Sequence, residues 1–324
     1  MDEPPLLLRW AMYHFAGCEA FLLGLSFFCV AQLVLLRSPV GRPRMAAVIA
    51  ARLGLIWAFA VPAPVPRGLL VVFAISLVGL GLAARKTPPT DGTADTPATP
   101  YRTEVWRWLV AGCALALILS EIPHRLAPRL VERPHRLLIV ADSVTAGLND
   151  GEDTWPQRLA RSTTLDIVDA SQPGATLKSG LRQLELLDTQ PSMLLLEIGG
   201  NDLLEGLPVA QFTHDLEQLL ATAQQPERTV WMFELPMPPL ACRYGEVQRR
   251  LAHQYKVTLI PRRFLLQVLT SSEGTVDGIH LAPPGHQRLA ELVQKMLKLD
   301  NAFLERTGSY RHVEPARKHE RSIP

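Results

Sequence analysis

Four long apolar segments within the first 122 residues constrain the fold of this chain more than any other feature. They lie near residues 15–36, 46–61, 68–84 and 106–122, and few charged residues interrupt them. A helix needs about 20 apolar residues to cross a bilayer. A buried helical core is the alternative, but four such segments so close together favour membrane spans. Residues 1–122 are therefore predicted to form an all-α membrane region of about four transmembrane helices.

Basic residues in the predicted loops indicate how these spans are oriented. The first loop carries Arg37, Arg42 and Arg44, the second has only Arg67, and the third has Arg85, Lys86, Arg102 and Arg107. Since cytoplasmic loops are enriched in Arg and Lys, loops one and three are predicted to be cytoplasmic. We expect a multi-pass protein of the cytoplasmic membrane whose carboxyl-terminal half is extracytoplasmic. The net charge of +2 gives no reason to expect a nucleic-acid partner.

The carboxyl-terminal half has a different pattern, because short apolar runs alternate there with amphipathic segments. The runs are 137–140, 165–168, 193–198, 229–233 and 257–260. Strands separated by helices predict an α/β fold, a three-layer α/β/α sandwich with a mostly parallel five-stranded sheet. We place this domain at 136–300, after a linker at 123–135. Residues 301–324 are charged with scattered Pro and Gly, and are predicted to be a disordered tail.

The first of these strands ends in a turn of small residues that contains Ser143. A serine at the carboxyl end of a parallel strand lies where open α/β sheets bind their ligands. The turn is not the Gly-x-Ser-x-Gly elbow, because Ala141 and Thr145 replace its two glycines. A serine that only caps a helix is the alternative for this stretch taken alone.

Four further residues follow strands or precede the last helix, and together with Ser143 they can carry out acyl transfer. Ser143 is the candidate nucleophile, His280 its general base, and Asp277 the carboxylate that orients the imidazole. The amides of Ser143 and Gly174 and the side-chain amide of Asn201 are candidate donors to an oxyanion. Gly174 suits this role because the missing Cβ lets a substrate approach the backbone.

At these residues the chain resembles the SGNH hydrolases, also called the GDSL esterase/lipase superfamily. The matching blocks are Ala141–Gly147, Gly174, Gly199–Asp202 and Asp277–His280. The resemblance covers roughly 136–298, and all four blocks occur in order after the expected elements. Ala141 departs from the usual first glycine, which alters the turn but leaves the nucleophile. The region 258–280 is also similar to the thioesterase/lysophospholipase branch.

The resemblance implies a serine esterase or lipase that cleaves a carboxylic ester or thioester, with a small-molecule, lipid or glycan ester as substrate. The four apolar segments, which the resemblance does not cover, add the expectation that this enzyme is anchored in a membrane and surrounded by membrane lipid. Two alternatives stay open. One is an acyltransferase that moves an acyl group onto or off an envelope glycan or lipid, and the other is an inactive module that binds acylated glycans or lipids. No ligand cluster such as His-Glu-x-x-His occurs, so neither a metal nor another cofactor is expected.

Overall fold

The structure, a computed structural model, describes residues 5–37, 42–60, 63–85, 101–130, 132–149, 151–238, 241–299 and 308–314. The chain divides into two compact units. The helical unit contains His14–Arg125 and the segment Met237–Cys242. The second unit, which we call the α/β unit, contains the chain up to Tyr13, Leu126–Pro236 and the chain from Arg243 onwards.

Among the described residues, five α-helices and a short 3-10 helix (Pro123–Arg125) precede the α/β half of the sequence. The α-helices are α1 (Leu6–Ala16), α2 (Glu19–Arg37), α3 (Arg42–Ala60), α4 (Arg67–Arg85) and α5 (Tyr101–Glu121). Among the described residues, α2, α3, α4 and α5 are long and apolar enough to cross a membrane. The first predicted span therefore begins at residue 19 rather than 15. The helical backbone is interrupted between α1 and α2, where Cys18 has a φ of 59°. The separate helix α1 was not predicted.

Helices α2 and α3 approach each other closely at two glycines. A Cβ atom on Gly24 would lie 2.5 Å from the carbonyl oxygen of Gly54, and one on Gly54 would lie 2.6 Å from the oxygen of Gly24. Small residues permit this backbone contact, as they do between helices packed in membranes. The outer surfaces of the unit are apolar instead, with Phe27, Ile56 and Val78 all largely exposed.

Six strands form the sheet of the α/β unit. They are β1 (Arg136–Ala141), β2 (Asp166–Asp169), β3 (Ser192–Glu197), β4 (Arg228–Phe233), β5 (Thr258–Ile260) and β6 (Ser309–His312). The strand order is β5-β4-β3-β1-β2-β6, and every pair in it is parallel. The predicted α/β architecture is confirmed, but the sheet has one strand more than the five expected.

The additional strand lies within the segment predicted to be a disordered tail. β6 pairs with β2 in register from Asp166 opposite Ser309 to Asp169 opposite His312. Its sequence has no apolar run, so the strand depends on this pairing and on the Tyr310 hydroxyl, which donates to Asp169 Oδ2 at 3.1 Å. The rest of the predicted tail, 301–307 and 315–324, lies outside the described residues.

Eight helices flank these strands along the chain. They are α6 (Ser143–Ala146), α7 (Trp155–Ser162), α8 (Leu177–Leu184), α9 (Gly200–Leu204), α10 (Val209–Ala223), α11 (Cys242–Gln254), α12 (Arg262–Leu269) and α13 (Pro283–Met296). One core contains the β1 side chains Leu137 and Ile139 together with residues of α7, α12 and α13. On α8, a Cβ at Gly180 would lie 2.8 Å from the side chain of Ile198 and 3.5 Å from that of Val140. Helices therefore cover both faces of the sheet.

β1 lies at the point where the strand order reverses, since β2 is its neighbour on one side and β3 on the other. In open parallel sheets ligands bind beyond the carboxyl ends of the strands at such a point. Ser143 follows β1 directly, so the fold places it there.

Candidate active site

The turn after β1 is held by side chains from two other elements. Gln183 on α8 accepts a hydrogen bond from the Ala141 amide at 3.0 Å and donates one to the Ala141 carbonyl at 3.1 Å. Asp142 then caps α6, because its carboxylate accepts from the amide of Val144 at 2.9 Å. Ser143 is the first residue of this short helix and is only 6% exposed. The backbone that carries the serine is thus fixed on both sides.

His280 and Asp277 form a pair in the loop between α12 and α13. The Nδ1 atom of His280 lies 2.6 Å from Asp277 Oδ2. The other carboxylate oxygen of Asp277 accepts from the amides of His280 at 2.8 Å and Ile279 at 3.0 Å. Burial opposes ionisation of Asp277, but these hydrogen bonds and His280 outweigh it, so its pKa lies below the usual value. Since Nδ1 faces the carboxylate, Nε2 is the nitrogen left for proton transfer.

An electrostatic interaction connects the loop of this pair to the turn of Ser143. Burial raises the pKa of Asp142, the residue before Ser143, and an interaction with His280 partly offsets this rise. A buried histidine joins α13 to α7, because His286 Nδ1 accepts a hydrogen bond from the amide of Trp155 at 3.2 Å. Burial lowers the pKa of His286, in keeping with a neutral ring that accepts a hydrogen bond. His286 is therefore a structural residue, as its position at the start of the last helix indicates.

The two remaining candidate oxyanion donors lie beside each other. The side-chain amide of Asn201 donates to the carbonyl of Ala175 at 2.8 Å, which fixes Asn201 next to Gly174. Gly174 has a φ of 70°, a left-handed conformation that favours glycine, and no atom lies within 4 Å of the place where its Cβ would be. Asp202 accepts from the amide of Leu177 at 2.9 Å and so supports the same loop.

A pair of buried carboxyl groups lies beneath the serine turn, and the sequence analysis did not identify it. Glu197, the last residue of β3, is 3% exposed and hydrogen bonds to the side chain of Asp142. Thr145 donates to Glu197 Oε2 at 3.0 Å and accepts from the indole of Trp155 at 3.1 Å. Burial raises the pKa of Asp142 to about 6 and that of Glu197 well above its usual value. Burial therefore favours the protonated form of Glu197 beside Asp142.

In the structure Ser143, Gly174 and Asn201 follow β1, β2 and β3 along the chain, and Asp277 and His280 lie between α12 and α13. Glu197 was missed because it is a single acid in an otherwise apolar run, and Gln183 because it lies among the polar residues of an amphipathic helix. In neither case can a buried partner be identified from spacing. Within the described part of the chain, no group of three or more His, Cys, Asp or Glu residues is arranged to hold a metal ion.

Comparison with known proteins places this half of the chain in a family. Residues 142–288 match the GDSL-like Lipase/Acylhydrolase family. An arylesterase of Vibrio mimicus is 31% identical over 176 residues, which cover 50% of this chain and 88% of that protein. Esterase TesA of Pseudomonas aeruginosa is 32% identical over 205 residues, which cover 59% of this chain and 96% of TesA.

A crystal structure of TesA aligns with 50% of this chain and 98% of its own, at 32% identity and a TM-score of 0.43. The matches are confined to the carboxyl-terminal half, and they extend over nearly the full length of the two esterases. Through that half, the chain belongs to the GDSL-like lipase/acylhydrolase family, the SGNH hydrolases, and is an ester-hydrolysing enzyme.

Proposed function

We propose that this protein is a membrane-anchored serine hydrolase that cleaves a carboxylic ester or thioester through an acyl-enzyme. The observation that carries the proposal is the His280–Asp277 pair, whose Nδ1 contact of 2.6 Å leaves Nε2 for proton transfer. Ser143 follows β1, at the point where the strand order reverses, and His280 interacts electrostatically with the neighbouring Asp142. A nucleophile, a base and a residue that orients the base are the groups that acyl transfer requires.

In the first step, Ser143 Oγ attacks the acyl carbon while His280 Nε2 takes the hydroxyl proton. Asp277 keeps the imidazole oriented and stabilises the imidazolium. The negative charge that develops on the carbonyl oxygen is held by the amides of Ser143 and Gly174 and by Asn201. When the tetrahedral intermediate collapses, the bond to the alcohol or thiol breaks and the imidazolium returns the proton to this leaving group.

Water completes the cycle by the same route. His280 removes a proton from the water as it attacks the acyl-enzyme, and the imidazolium then protonates Ser143 Oγ as the acid leaves. If a sugar or lipid hydroxyl replaces water, the same residues carry out acyl transfer. Incubating the full chain with one ester and either water or a panel of alcohols, and then quantifying acid and new ester, distinguishes the two reactions.

Labelling with a fluorophosphonate tests the nucleophile directly. The full chain in detergent should be labelled and should turn over a short-chain ester, whereas Ser143→Ala should lose both properties. Ser162→Ala is the control, because Ser162 lies at the end of α7 and bonds to the carbonyl of Leu159. Persistent labelling of a folded Ser143→Ala variant would assign the nucleophile elsewhere.

The membrane location is supported by the helical unit. Its helices α2 to α5 have the length and composition of spans, and they expose large apolar side chains that lipid would cover. The concentration of Arg and Lys in loops one and three supports a cytoplasmic position for those loops and an extracytoplasmic α/β unit.

A further inference from the structure

Large apolar side chains are exposed at few places on the part of the α/β unit that follows the linker. Among the described residues of 136–299, they are Leu148, Leu204, Val276 and Ile279. Leu204 is the most exposed of them, at 67%. Each lies within five residues of a proposed catalytic or oxyanion residue, and we call these four side chains the apolar rim. Such a distribution marks a surface for contact with another molecule.

Contacts connect the segments that carry the apolar rim to one another and to the turn of Ser143. Leu148 donates its amide to Glu152 Oε2 at 2.9 Å, and the other oxygen of Glu152 lies 3.4 Å from His286 Nε2 on α13. The loop of Val276 and Ile279 precedes that helix directly. On the other side, a Cβ at Gly200 in the helix of Leu204 would lie 3.4 Å from Asp142 Oδ2.

The amino-terminal part of α1 extends this surface. Met12 belongs to the α/β unit, and its Cε atom lies 3.9 Å from the place where a Cβ on Gly278 would be. Gly278 lies between Asp277 and His280 in the sequence. Leu6, Leu7 and Trp10 on the same helix are exposed, and Leu7 is 80% exposed. A helix with exposed leucines and a tryptophan is suited to the boundary between lipid and water.

We propose that the apolar rim and the exposed face of α1 dock onto the surface of a lipid bilayer, so that the enzyme draws its ester from the lipid phase. This inference rests on the proposed ester hydrolysis and adds the location of the substrate. A bilayer is the occupant rather than another protein because the same chain carries four candidate spans. These apolar side chains also come from separate segments of the chain around the proposed site. A surface that contacts all of them therefore also lies over the proposed catalytic groups, as does a membrane that supplies the substrate.

Two butyrate esters separate docking from acyl specificity. One is the dissolved p-nitrophenyl ester, and the other is hexadecyl butyrate held in phosphatidylcholine nanodiscs that contain the full chain. The double variant Leu148→Ser, Leu204→Ser should lose at least about tenfold in rate on the anchored ester and less than about twofold on the dissolved one. Leu204→Met keeps the apolar surface and should behave as the parent.

Each contrary result has a distinct meaning. Equal losses on both esters would overturn docking, because the leucines would then bind the substrate itself. An unchanged rate on the anchored ester would also overturn it. If removal of the leucines abolished a dimer of the parent in nanodiscs, a second copy would be the occupant. Absence of Ser143-dependent turnover of the dissolved ester would overturn the proposed function instead.

A measurement without catalysis tests docking by itself. A nitroxide attached to Leu204→Cys, with Cys242→Ser to remove the cysteine of the α/β half, should collide more with oxygen than with a water-soluble nickel chelate in nanodiscs. Gln224→Cys is the matched control, since it is exposed and precedes β4 at the opposite edge of the sheet. Equal accessibility at the two positions would overturn the proposal even if the esterase assay were silent.

Discussion

Glu197 is a side chain whose protonation connects the stability of the fold to the geometry beneath Ser143. Its pKa and that of Asp142 are raised chiefly by burial. A carboxyl group with a raised pKa in the folded state stabilises fully below its unfolded pKa, near 4.3 for Glu. That contribution is lost as the pH rises through the folded value, about 6 for Asp142 and higher for Glu197.

Glu197→Gln should flatten this pH dependence. The amide still donates to Asp142 and accepts from Thr145, but it has no proton to lose. Between about pH 5 and pH 9, the thermal midpoint of the parent should therefore fall more than that of the variant. Unfolding of the detergent-solubilised full chain, followed by near-ultraviolet circular dichroism, measures both curves. Parallel curves would exclude Glu197 as the titrating group.

Asn201→Ala should lower kcat by about a hundredfold or more with little change in KM, because an oxyanion donor acts mainly in the transition state. In the structure this side chain also donates to the carbonyl of Ala175. A merely structural role would instead lower the unfolding temperature and raise KM. Steady-state kinetics on a dissolved ester, together with the thermal midpoint, separate the two roles.

The roles of the candidate site residues stay predictions. Ser143, Gly174, Asn201, Asp277 and His280 were singled out because each lies beside a recognisable element of the sequence. Glu197 was not, because one acid in a buried run gives no sign of its partner 55 positions earlier, the difference between 197 and 142. Only the pairing of β1 with β3 brings the two carboxyl groups together.

At the scale of elements, a buried cluster of charges joins β4 to the two helices that follow it. Glu234 accepts hydrogen bonds at 2.6 Å from both Arg249 on α11 and Arg262 on α12. Burial opposes ionisation of Glu234, but the two arginines outweigh it and lower its pKa to about 2. The stabilising effect of Glu234 is therefore fully present above its unfolded pKa. It is lost as the pH falls through the folded value of about 2.

Glu234→Gln should destabilise the α/β unit by about 3–5 kcal/mol, because it removes the buried negative charge that faces Arg249 and Arg262. Asp153→Asn is the matched control. Asp153 pairs with Arg158 at 3.1 Å and with Arg161, but its side chain is 44% exposed. Surface pairs contribute about 0–1 kcal/mol, so this variant should be near neutral. Similar losses in urea unfolding of the two variants would contradict a special role for the buried cluster.

The elements themselves were predicted well where burial imposes a pattern. The structure has β3 at Ser192–Glu197 where the apolar run predicted 193–198, and β4 at Arg228–Phe233 where it predicted 229–233. The apolar run in α12 also packs in the core, where Leu265, Val268 and Leu269 are buried. β6 was missed because its residues are polar and it is extended only through its pairing with β2.

At the scale of the whole molecule, the orientation of the chain in the membrane is open to a direct test. Four spans return the chain to its starting side, and the basic loops predict that this side is outside. Alkaline phosphatase fused after residue 324 should therefore be active, and a reporter that works only in the cytoplasm should be silent. A fusion within loop three, between residues 86 and 100, should give the reverse pattern. The opposite pair of results would contradict this orientation and place the α/β unit in the cytoplasm.

Composition alone cannot predict how the two halves of this chain depend on each other. The four apolar segments were found because lipid demands long uninterrupted runs, and the structure has a helix at each. By contrast, the structure groups Met237–Cys242 with the helical unit and the residues before His14 with the α/β unit. Tertiary packing determines to which unit each of these two segments belongs, and neither segment has a sequence pattern that predicts its unit.

The position of β6 also determines when the sheet is complete during synthesis. A ribosome makes β1 to β5 before residue 300, yet until residues 309–312 emerge, β2 remains an outer strand with unpaired backbone groups. The nascent domain therefore passes through a state whose exposed strand can pair with other chains. Translation that stops between α13 and β6 would release a protein with every proposed catalytic residue present and an open edge that promotes aggregation.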